Sequence, residues 1–535
     1  MEAKSAKQFN ITGPCVPEKH YMLPVLPRLP GVNEMIDNEN YFILHAPRQS
    51  GKTTFIKALT EKINKDSQRY ALYCSLAILR EATDKIEAID LIVSRINWSI
   101  KYSSVDTIKH KVFSYDTLSG MSSPDTKIQE ILTILCLDLD KPVVVFFDEA
   151  DSLIGPGLLT FLTQIRDGFI NRNDLGNKFP SSLALIGMRN IRDYLSTNHP
   201  DSVGGHLASP FNIVTKKMTL ANFTEREIGA LYRQHTLATG QVFEDSAIAK
   251  AWYWSEGQPW LVNALAREVV TEQLNNDFSV TITKDHIDEA AEILIKRRDT
   301  HIDSLLERLK EPRVIKVMDF VFAGTKGKNI PIDSDDRQYC IDLGLVIKND
   351  DQSLRPANKI YQEVIFRKIT DQIEYILTIN QHKNMWTDGK VLFISNLLKE
   401  FQKFWRHDSR SFPSRYKDFA ASKYDEATYT FMLLAYLQKI INSGGSVHRQ
   451  FSEGRGAIDI TAIYNGHEYL IEAKLNEKYF SLEDSLKQLS GYMDTAGTNE
   501  AWLVIFDRDL EKSWDEKIYW KTQEYNGKTI HVVGC

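Results

Sequence analysis

The sequence has few cysteines, no long apolar run and no large excess of charge of one sign. Its five cysteines, at positions 15, 74, 136, 340 and 535, offer no paired metal-ligand spacing, which argues against a zinc site and is typical of a reducing cytoplasm. No run approaches the ~18 apolar residues that a membrane span needs, and the first ten residues lack an apolar signal core. We therefore expect a cytoplasmic protein with no membrane partner.

The net charge of −6, from 65 basic and 71 acidic residues, argues against a protein that coats nucleic acid with its whole surface. Contact with DNA has to come from a local basic patch. The sequence also lacks internal repeats and low-complexity tracts, which excludes a repeat array. Its 535 residues and 43% hydrophobic content suffice for about three or four domains, each with its own core.

The apolar run at residues 41–44 is followed by a loop that ends in Gly-Lys-Thr at the start of a predicted helix. A strand, a loop and a helix in this order form a phosphate-binding loop, in which backbone N–H groups and the helix N-terminus receive phosphates. Lys52 is predicted to reach the β and γ phosphates of ATP, and Thr53 to ligate Mg²⁺. The predicted nucleotide contacts are Ala46, which stands in the place of the first glycine, and Pro47, Arg48, Gln49, Ser50, Gly51, Lys52, Thr53 and Thr54.

Two more apolar runs continue this pattern along the chain. Residues 142–147 are apolar throughout, as in a parallel strand buried on both faces, and end in Asp148 and Glu149, where ligands of α/β sheets bind. Asp148 is predicted to hold Mg²⁺ through water, and Glu149 to polarise the hydrolytic water. Residues 182–187 are followed by Arg189, which places a cation where the γ-phosphate can be sensed. The three runs in this order predict a nucleotide-binding domain.

This order of strands, followed by helices that contain Gly257-Gln258-Pro259, resembles the AAA-like ATPases of the STAND group. In that group the Gly-x-Pro element lies on a helical lid that faces the nucleotide, so the resemblance makes Pro259 a reporter of the nucleotide state. Residues 9–24 also resemble the segment before the P-loop in these proteins. The resemblance implies that His20 and Tyr21 line the base pocket; a structural packing role for both is the alternative.

Residues 305–367 resemble the winged helix that follows the lid in STAND ATPases. The pattern predicts three helices, followed by short strands at residues 343–346 and 354–356. A winged helix often binds DNA through its third helix. Here that helix is preceded or begun by Asp333, Asp335 and Asp336, which phosphates repel. We therefore favour an intramolecular role over DNA binding, in which the wing docks on the ATPase in one nucleotide state.

A hairpin is predicted near the end of the sequence by Asn465-Gly466, the residue pair most favoured in a two-residue type I′ turn. Counting outward from this loop places Asp459 directly across from Glu472. Opposed residues of an antiparallel pair have Cα atoms about 4.5–5.5 Å apart. One face of the hairpin is apolar, whereas the other presents Asp459, Glu472 and Lys474.

Two carboxylates held side by side repel each other unless a cation lies between them or one takes a proton. Oxygen ligands of this kind suit Mg²⁺, with Mn²⁺ as an alternative, and Lys474 can orient an attacking water or neutralise charge on a phosphate. Three neighbouring features favour a metal-dependent phosphodiesterase centre over a surface hairpin with scattered charges. They are Glu426 near the start of a predicted helix at residues 425–441, Gln488 and Tyr492 four apart on one face of a later helix, and a flexible cationic segment at residues 454–456.

These elements of the last 120 or so residues resemble the PD-(D/E)XK nuclease superfamily. Ile458 stands where the superfamily name writes proline, at a position that carries no catalytic group. The resemblance implies Mg²⁺-dependent cleavage of DNA, with Asp459 and Glu472 as metal ligands. A degenerate copy that binds DNA without cutting it is the alternative.

The segment before these elements combines an apolar stripe with a basic stretch. Residues 391–405 have apolar side chains on one helical face, which predicts core packing rather than base stacking. Between residues 406 and 423, five Lys and Arg side chains outnumber two acidic ones, with Phe412 and Tyr416 interleaved. This stretch is a candidate for tracking a nucleic-acid backbone, and a solvated loop is the alternative.

We predict an α/β multidomain protein in which an AAA-like P-loop ATPase with a helical lid and a winged helix precedes an α/β domain of the restriction-endonuclease type. The predicted segments are 1–215 for the ATPase core, 216–300 for the lid, 301–370 for the winged helix, 371–420 for a helical linker and 421–535 for the nuclease-like domain. In this interpretation ATP binding or hydrolysis controls a DNA nuclease, and the protein self-associates. The combination resembles prokaryotic mobile-element or anti-phage systems.

Two rival functions belong to other classes. A non-cutting scaffold or signalling switch would keep its biological effect after replacement of Asp459 with alanine. An ATP-driven translocase with an accessory nuclease needs a helicase motif set, and the sequence offers none beyond the P-loop and the Asp-Glu strand. We therefore favour the nucleotide-controlled nuclease.

Overall fold

The computed structural model of the chain divides into two compact units. Unit 1 comprises Met1–His301, Ser334–Ile347 and Ala357–Ile360, and unit 2 comprises Ile302–Asp333, Lys348–Pro356 and Tyr361–Cys535. Within them, the structure describes residues 7–66, 68–82, 84–114, 123–174, 176–187, 213–297, 300–323, 333–350, 352–376, 387, 390–408, 429–430, 432–434, 436–437, 445–448, 460–476, 480–507, 509 and 511–535.

A five-stranded parallel sheet forms the centre of unit 1. Its strands are β1 (Tyr41–His45), β2 (Tyr70–Ser75), β3 (Val143–Asp148), β4 (Ser182–Gly187) and β5 (Val214–Thr219). They lie in the order β2-β3-β4-β1-β5, and every neighbouring pair is parallel. β3 is buried along its whole length because its β-branched and aromatic side chains pack on both faces. The three strands predicted from the apolar runs are confirmed as β1, β3 and β4.

Helices cover both faces of this sheet. They are α1 (Val32–Asp37), α2 (Lys52–Asp66), α3 (Lys85–Lys101), α4 (Asp106–Lys109), α5 (Lys127–Asp138) and α6 (Gly155–Asn171). Phe55 of α2 lies in the apolar core on one face, and Ile92 of α3 lies in the core on the other. The carboxyl ends of the parallel strands meet at one edge, where ligands of such folds bind.

Residues 220–297, directly after β5 in unit 1, contain four α-helices. They are α7 (Glu225–Thr239), α8 (Asp245–Ser255), α9 (Pro259–Arg267) and α10 (Lys284–Arg297). A capping box of Thr224 and Glu227 fixes the start of α7. Gly257, with φ of 74°, lies so close to the chain before α7 that a Cβ atom there would overlap the carbonyl oxygen of Phe223. The Phe223 N–H donates to the Gly257 carbonyl at 2.8 Å, so these two segments are joined backbone to backbone.

The predicted order of three helices and two short strands is present between residues 300 and 376. The elements are α11 (Thr300–Arg308), α12 (Pro312–Ala323), α13 (Ser334–Asp342), β6 (Val346–Lys348), β7 (Leu354–Pro356) and α14 (Lys359–Ile376). The prediction of a strand at residues 343–346 was wrong in its position. Gly344 has φ of 74° and its N–H donates to the Ile341 carbonyl at 2.8 Å, so the chain turns there before the strand begins at Val346.

A six-stranded mixed sheet forms the centre of unit 2. Its strands are β8 (Gly445–His448), β9 (Ile460–Tyr464), β10 (His467–Asn476), β11 (Glu500–Asp507), β12 (Trp520–Tyr525) and β13 (Lys528–Gly534). They lie in the order β12-β13-β11-β10-β9-β8. The central pairs β10–β11 and β11–β13 are parallel, whereas the outer pairs are antiparallel.

Helices cover both faces of this second sheet. They are α15 (Ile394–Asp408), α16 (Leu482–Ala496) and α17 (Trp514–Lys517). Leu489 of α16 packs with Leu503 of the sheet in one core. Phe401 and Trp405 of α15 pack on Phe506 from the opposite face. The prediction that residues 391–405 pack in a core is thereby confirmed, within the segment 371–420 that we predicted as a helical linker.

The structure describes all five cysteines, and none of them forms a disulfide bond. In the part of the chain that the structure describes, no helix is both long enough and apolar enough to cross a bilayer.

Candidate functional site

The loop between β1 and α2 closes around the ammonium group of Lys52. Gln49 and Gly51 have left-handed backbone, with φ of 56° and 90°, whereas Ala46 does not, so alanine in the place of the first glycine causes no backbone strain. The Nζ atom of Lys52 donates to the carbonyl oxygens of Ala46 at 2.6 Å and Pro47 at 2.7 Å. The sequence prediction of a phosphate-binding loop is therefore matched by its backbone geometry.

The charge of Lys52 is set by its surroundings. Burial lowers the pKa of Lys52 to about 8, although the neighbouring acids Asp151, Asp148 and Glu149 act in the opposite direction. A phosphate group beside the ammonium favours its charged form, so binding of a nucleotide raises this pKa again.

We expect nucleotide affinity to fall as the pH rises above 8. The nucleotide-free protein loses the Lys52 proton as the pH passes about 8, and binding then has to take the proton up again. Affinity for ATP should therefore fall about tenfold for each pH unit above 8. Titration with a fluorescent ATP analogue between pH 7.5 and 9.5 measures this. A Lys52→Arg variant that still binds should show a flatter profile, because arginine stays charged; constant affinity of the unchanged protein up to pH 9.5 would contradict the expectation.

Asp148, at the end of β3, accepts hydrogen bonds from two hydroxyl groups. The Oγ1 atom of Thr53 donates to Asp148 Oδ2 at 2.7 Å, and the Tyr73 hydroxyl donates to the same oxygen at 2.9 Å. The backbone N–H of Glu149 donates to Asp148 Oδ1 at 2.9 Å. The two predicted Mg²⁺ ligands, Thr53 and Asp148, are thus in direct contact. Hydroxyl and carboxylate oxygens are the ligands that Mg²⁺ prefers, so these residues fit the ion.

Glu149 follows in a left-handed backbone conformation with φ of 56°. Non-glycine residues in this region cost free energy and cluster at functional sites. Burial raises the pKa of Glu149, whereas Arg80, whose guanidinium lies 3.3 Å from the carboxylate, lowers it. Glu149 therefore combines a carboxylate with a fixed position beside Asp148, and its role as the residue that polarises water stays a prediction.

Asp151 is a third acid at this edge of the sheet that sequence reasoning missed. A Cβ atom at Gly187, the last residue of β4, would lie 3.2 Å from the Asp151 carboxylate. The same carboxylate raises the pKa of Lys52. The sequence signal for this third acid is the string Asp-Glu-Ala-Asp at residues 148–151, but the sequence prediction included only its first two acids. Arg189, the predicted sensor, lies outside the described residues.

The Gly-x-Pro element lies on the phosphate-binding loop, and Gln258 makes the contact. The Nε2 atom of Gln258 donates to the Arg48 carbonyl at 3.4 Å. Its Oε1 atom accepts from the N–H of Leu261 at 2.7 Å and thereby caps α9, which begins at Pro259. Pro259 is buried at this N-terminus. The contact is therefore made by the polar residue before the proline, and the role of Pro259 as a reporter of the nucleotide state stays a prediction.

Arg28 is a second residue that sequence reasoning missed. Its guanidinium donates to the carbonyl oxygen of Ser50 at 3.5 Å and to that of Ala221, and it lies 4.6 Å from the ring centroid of Phe223. Burial lowers the pKa of Arg28 to about 10. Arg28 thus ties the phosphate-binding loop to the segment before α7. No sequence signal marks it, because its partners are distant in the chain.

The predicted base-pocket residues differ in their environments. Tyr21 is buried, its ring packs on Phe9, and its hydroxyl lies 3.1 Å from Nδ1 of His235. The Nδ1 atom of His20 accepts from the backbone N–H of Val16 at 2.9 Å. These contacts favour the packing alternative for Tyr21.

The segment around α13 also lies against the phosphate-binding loop, within unit 1. A Cβ atom at Gly344 would overlap the ring of Pro47. Burial lowers the pKa of His45, at the end of β1, and Asp342 acts in the opposite direction. The turn after α13 is therefore packed on the loop that would hold the phosphates.

In unit 2, Glu472 and Lys474 share the face of β10 that packs on α16. Glu472 is 1% exposed, and its Oε1 atom lies 2.6 Å from Nζ of Lys474. On α16, the Nε2 atom of Gln488 donates to the Tyr492 hydroxyl at 2.6 Å, which confirms that these two side chains share one helical face. The structure therefore presents a buried carboxylate with a lysine beside it, on the sheet face that α16 covers.

The predicted hairpin register is confirmed as far as the structure describes it. Asn465 and Gly466 have φ of 46° and 80°, as a type I′ turn requires, and Ile471 lies opposite Ile460. The predicted site residues Glu426 and Asp459, and the cationic segment 454–456, lie outside the described residues. Among the described ones, no three His, Cys, Asp or Glu side chains are grouped so as to hold a metal ion.

Comparisons with known proteins bear mainly on unit 1. The model of a domain of unknown function, DUF8371, matches residues 393–509. No curated protein sequence matches this chain. Among solved structures, the Walker-type ATPase of Pyrococcus abyssi is 15% identical, covers 67% of this chain and 99% of its own, and has a TM-score of 0.44.

Two further solved structures are similar at a lower level. The ORC1 protein of Aeropyrum pernix, in complex with DNA, is 12% identical over 66% of this chain and 95% of its own, with a TM-score of 0.34. The RuvB Holliday junction branch migration motor of Thermotoga maritima is 14% identical over 61% of this chain and 87% of its own, with a TM-score of 0.30. Unit 1 itself has an α/β fold, with a five-stranded parallel sheet whose strand β1 leads into the phosphate-binding loop and α2.

Proposed function

We propose that the protein is an ATP-binding and ATP-hydrolysing switch of the STAND type that controls a Mg²⁺-dependent DNA nuclease. The observation that carries the ATPase part is the 2.7 Å contact between Thr53 and Asp148 at the start of α2, next to Lys52. When bound, Mg²⁺ would be held by Thr53 directly and by Asp148 through water, and would neutralise phosphate charge. Glu149 is the base for the attacking water, and Lys52 holds the phosphates.

The control part of the proposal rests on contacts of the phosphate-binding loop inside unit 1. Gln258 contacts this loop at Arg48, and the turn at Gly344 packs on it at Pro47. A γ-phosphate that displaces the loop or draws Lys52 away from its two carbonyl partners changes both contacts. Nucleotide identity therefore biases the position of the lid helices and of α13, which is the change that a switch requires.

The nuclease part of the proposal rests on the buried carboxylate of Glu472. In the PD-(D/E)XK interpretation, Glu472 and Asp459 hold the metal, Lys474 orients the attacking water, and Gln488 with Tyr492 lines the site. Self-association would pair two such centres for the two strands of a duplex, and DNA is the proposed substrate. The carboxylate oxygens of Glu472 suit Mg²⁺, while its proposed partner ligand lies beyond the described residues.

The test is a cleavage assay with purified protein, plasmid, linear DNA and RNA, Mg²⁺ or Mn²⁺, and ATP, ADP or no nucleotide. We expect cutting that depends on the metal and on nucleotide identity. Asp459→Ala should abolish cutting while leaving ATP binding intact, and Lys52→Ala should abolish the nucleotide dependence. Cutting that neither variant changes would overturn the proposal.

The second candidate is a non-cutting, nucleotide-dependent DNA-binding scaffold. The observation that favours it is the 2.6 Å ion pair between Glu472 and Lys474, since the lysine neutralises the carboxylate without a metal. In that case Asp459→Ala leaves both DNA affinity and the biological effect unchanged. Measurement of DNA cutting with Mg²⁺ and with EDTA at equal ionic strength separates the two candidates, because only the nuclease cuts DNA when the metal is added.

A further inference from the structure

Tyr73 is the second hydroxyl donor on Asp148, and it comes from a strand that the phosphate-binding pattern does not include. β2 pairs in parallel with β3, so that Tyr73 lies opposite Phe146 and Ser75 lies opposite Asp148. The Tyr73 ring packs on the core between the sheet and α2, and its hydroxyl reaches forward to Asp148 Oδ2 at 2.9 Å.

The hydrogen bonds to Asp148 leave a defined position for one more donor. A carboxylate has about four lone-pair sites, two on each oxygen. Thr53 and Tyr73 both donate to Oδ2, and the backbone N–H of Glu149 donates to Oδ1. Asp148 is 2% exposed, so bulk water does not compete for it freely. One acceptor site therefore remains, on Oδ1.

We propose that Tyr73 is a positioning residue for the metal of the nucleotide: its hydroxyl fixes the Asp148 carboxylate so that Oδ1 is presented to a metal-bound water. The inference rests on the proposed ATPase function. With Tyr73 in place, the carboxylate cannot rotate about its Cβ–Cγ bond without breaking two hydrogen bonds on Oδ2. Without it, Thr53 alone holds that oxygen, and Thr53 is itself the residue that has to bond the metal.

The Tyr73 side chain also packs in the core, and this packing can be separated from the hydrogen bond that its hydroxyl donates. The ring has contacts of its own, with Nζ of Lys57 lying 5.3 Å from its centroid. Phenylalanine at this position keeps the ring packing and removes the donor alone.

The test compares nucleotide binding with and without Mg²⁺ in the Tyr73→Phe variant. Loss of a residue that orients a metal ligand typically weakens metal affinity about 10–100-fold. We expect Mg²⁺ to increase the affinity for an ATP analogue. In Tyr73→Phe, the Mg²⁺ concentration at which half of this increase is reached should be at least about tenfold higher. Affinity measured in EDTA should stay the same, and the rate of hydrolysis should recover at saturating Mg²⁺.

Tyr70→Phe is the matched control. Tyr70 lies on the same strand and its hydroxyl also donates to an aspartate, Asp140, at 2.9 Å. This variant loses an equivalent hydrogen bond away from the loop, so its Mg²⁺ dependence should equal that of the unchanged protein. An unchanged Mg²⁺ requirement in Tyr73→Phe, or an equal loss of affinity in EDTA, would overturn the inference while leaving the ATPase proposal standing. If the unchanged protein binds no nucleotide at all, the proposed function fails, and the inference with it.

Discussion

Replacing Glu149 with glutamine is expected to lower the rate of ATP hydrolysis by about 10²–10⁴-fold, the contribution typical of a positioned general base. Glutamine has the same shape and the same backbone preferences, so the left-handed conformation at this position and the contact with Arg80 are changed least. It cannot accept a proton from water. ATP affinity in the presence of Mg²⁺ should therefore stay close to that of the unchanged protein, giving a variant that binds ATP and holds it.

The matched control is Glu61→Gln on the surface of α2. Glu61 forms an exposed ion pair with Lys65 at 2.7 Å, and such pairs contribute little to stability. Hydrolysis by this variant should be unchanged. If Glu149→Gln hydrolyses ATP at the original rate, Glu149 is not the base, and Asp151 is the next carboxylate to replace.

The same assay gives a pH signature. Burial raises the pKa of Glu149 from its ordinary value of 4.5, so the base gains its proton at a higher pH than a solvated carboxyl group. The rate of hydrolysis should fall as the pH falls through this raised pKa. The residual rate of hydrolysis by Glu149→Gln should not show this fall at low pH.

Replacing Glu472 with glutamine is expected to reduce Mg²⁺-dependent DNA cleavage by about 10³-fold or more. Stabilisation of the transition state by a bound metal is worth several kcal/mol, and each 1.36 kcal/mol corresponds to a factor of ten in rate. An amide keeps the volume of the side chain in its buried site, whereas it binds a divalent cation far more weakly than a carboxylate does.

Stability has to be measured alongside cleavage, because Glu472 is paired with Lys474. Removing one partner of a buried ion pair is destabilising, although the lysine side chain is 22% exposed and can turn toward water. Glu468→Gln is the control, since Glu468 is exposed and lies four residues earlier on the same strand. A Glu472→Gln variant that remains folded, by thermal unfolding, and still cuts DNA would remove the nuclease from the proposed function.

Much of the fold of unit 1 could be predicted from apolar runs that end in functional residues. The strands β1, β3 and β4 are short and mainly apolar, and the first two end in the polar residues His45 and Asp148, a pattern with few alternatives. The turn at Asn465-Gly466 was equally clear, because few residue pairs allow positive φ at two successive positions.

The contributions of Tyr73 and Arg28 could not be predicted, because they depend on which strands become neighbours. Tyr73 lies 75 residues before Asp148, and Arg28 lies 193 residues before Ala221. No local pattern marks such partners, since a tyrosine in an apolar strand is typical of any core. The strand at residues 343–346 was misplaced for a different reason. The apolar residues there suggested a strand, whereas Gly344 among them has a positive φ and turns the chain.

The close approach of Gly257 to Phe223 determines where the helices after β5 can bend. The two backbone segments are joined by a hydrogen bond, with no space for even a methyl group between them, so we expect them to move together. A movement of these helices over the phosphates would then bend the chain before Phe223, near Ala221, whose carbonyl oxygen accepts a hydrogen bond from Arg28. Replacing Arg28 would therefore change the hinge of that movement.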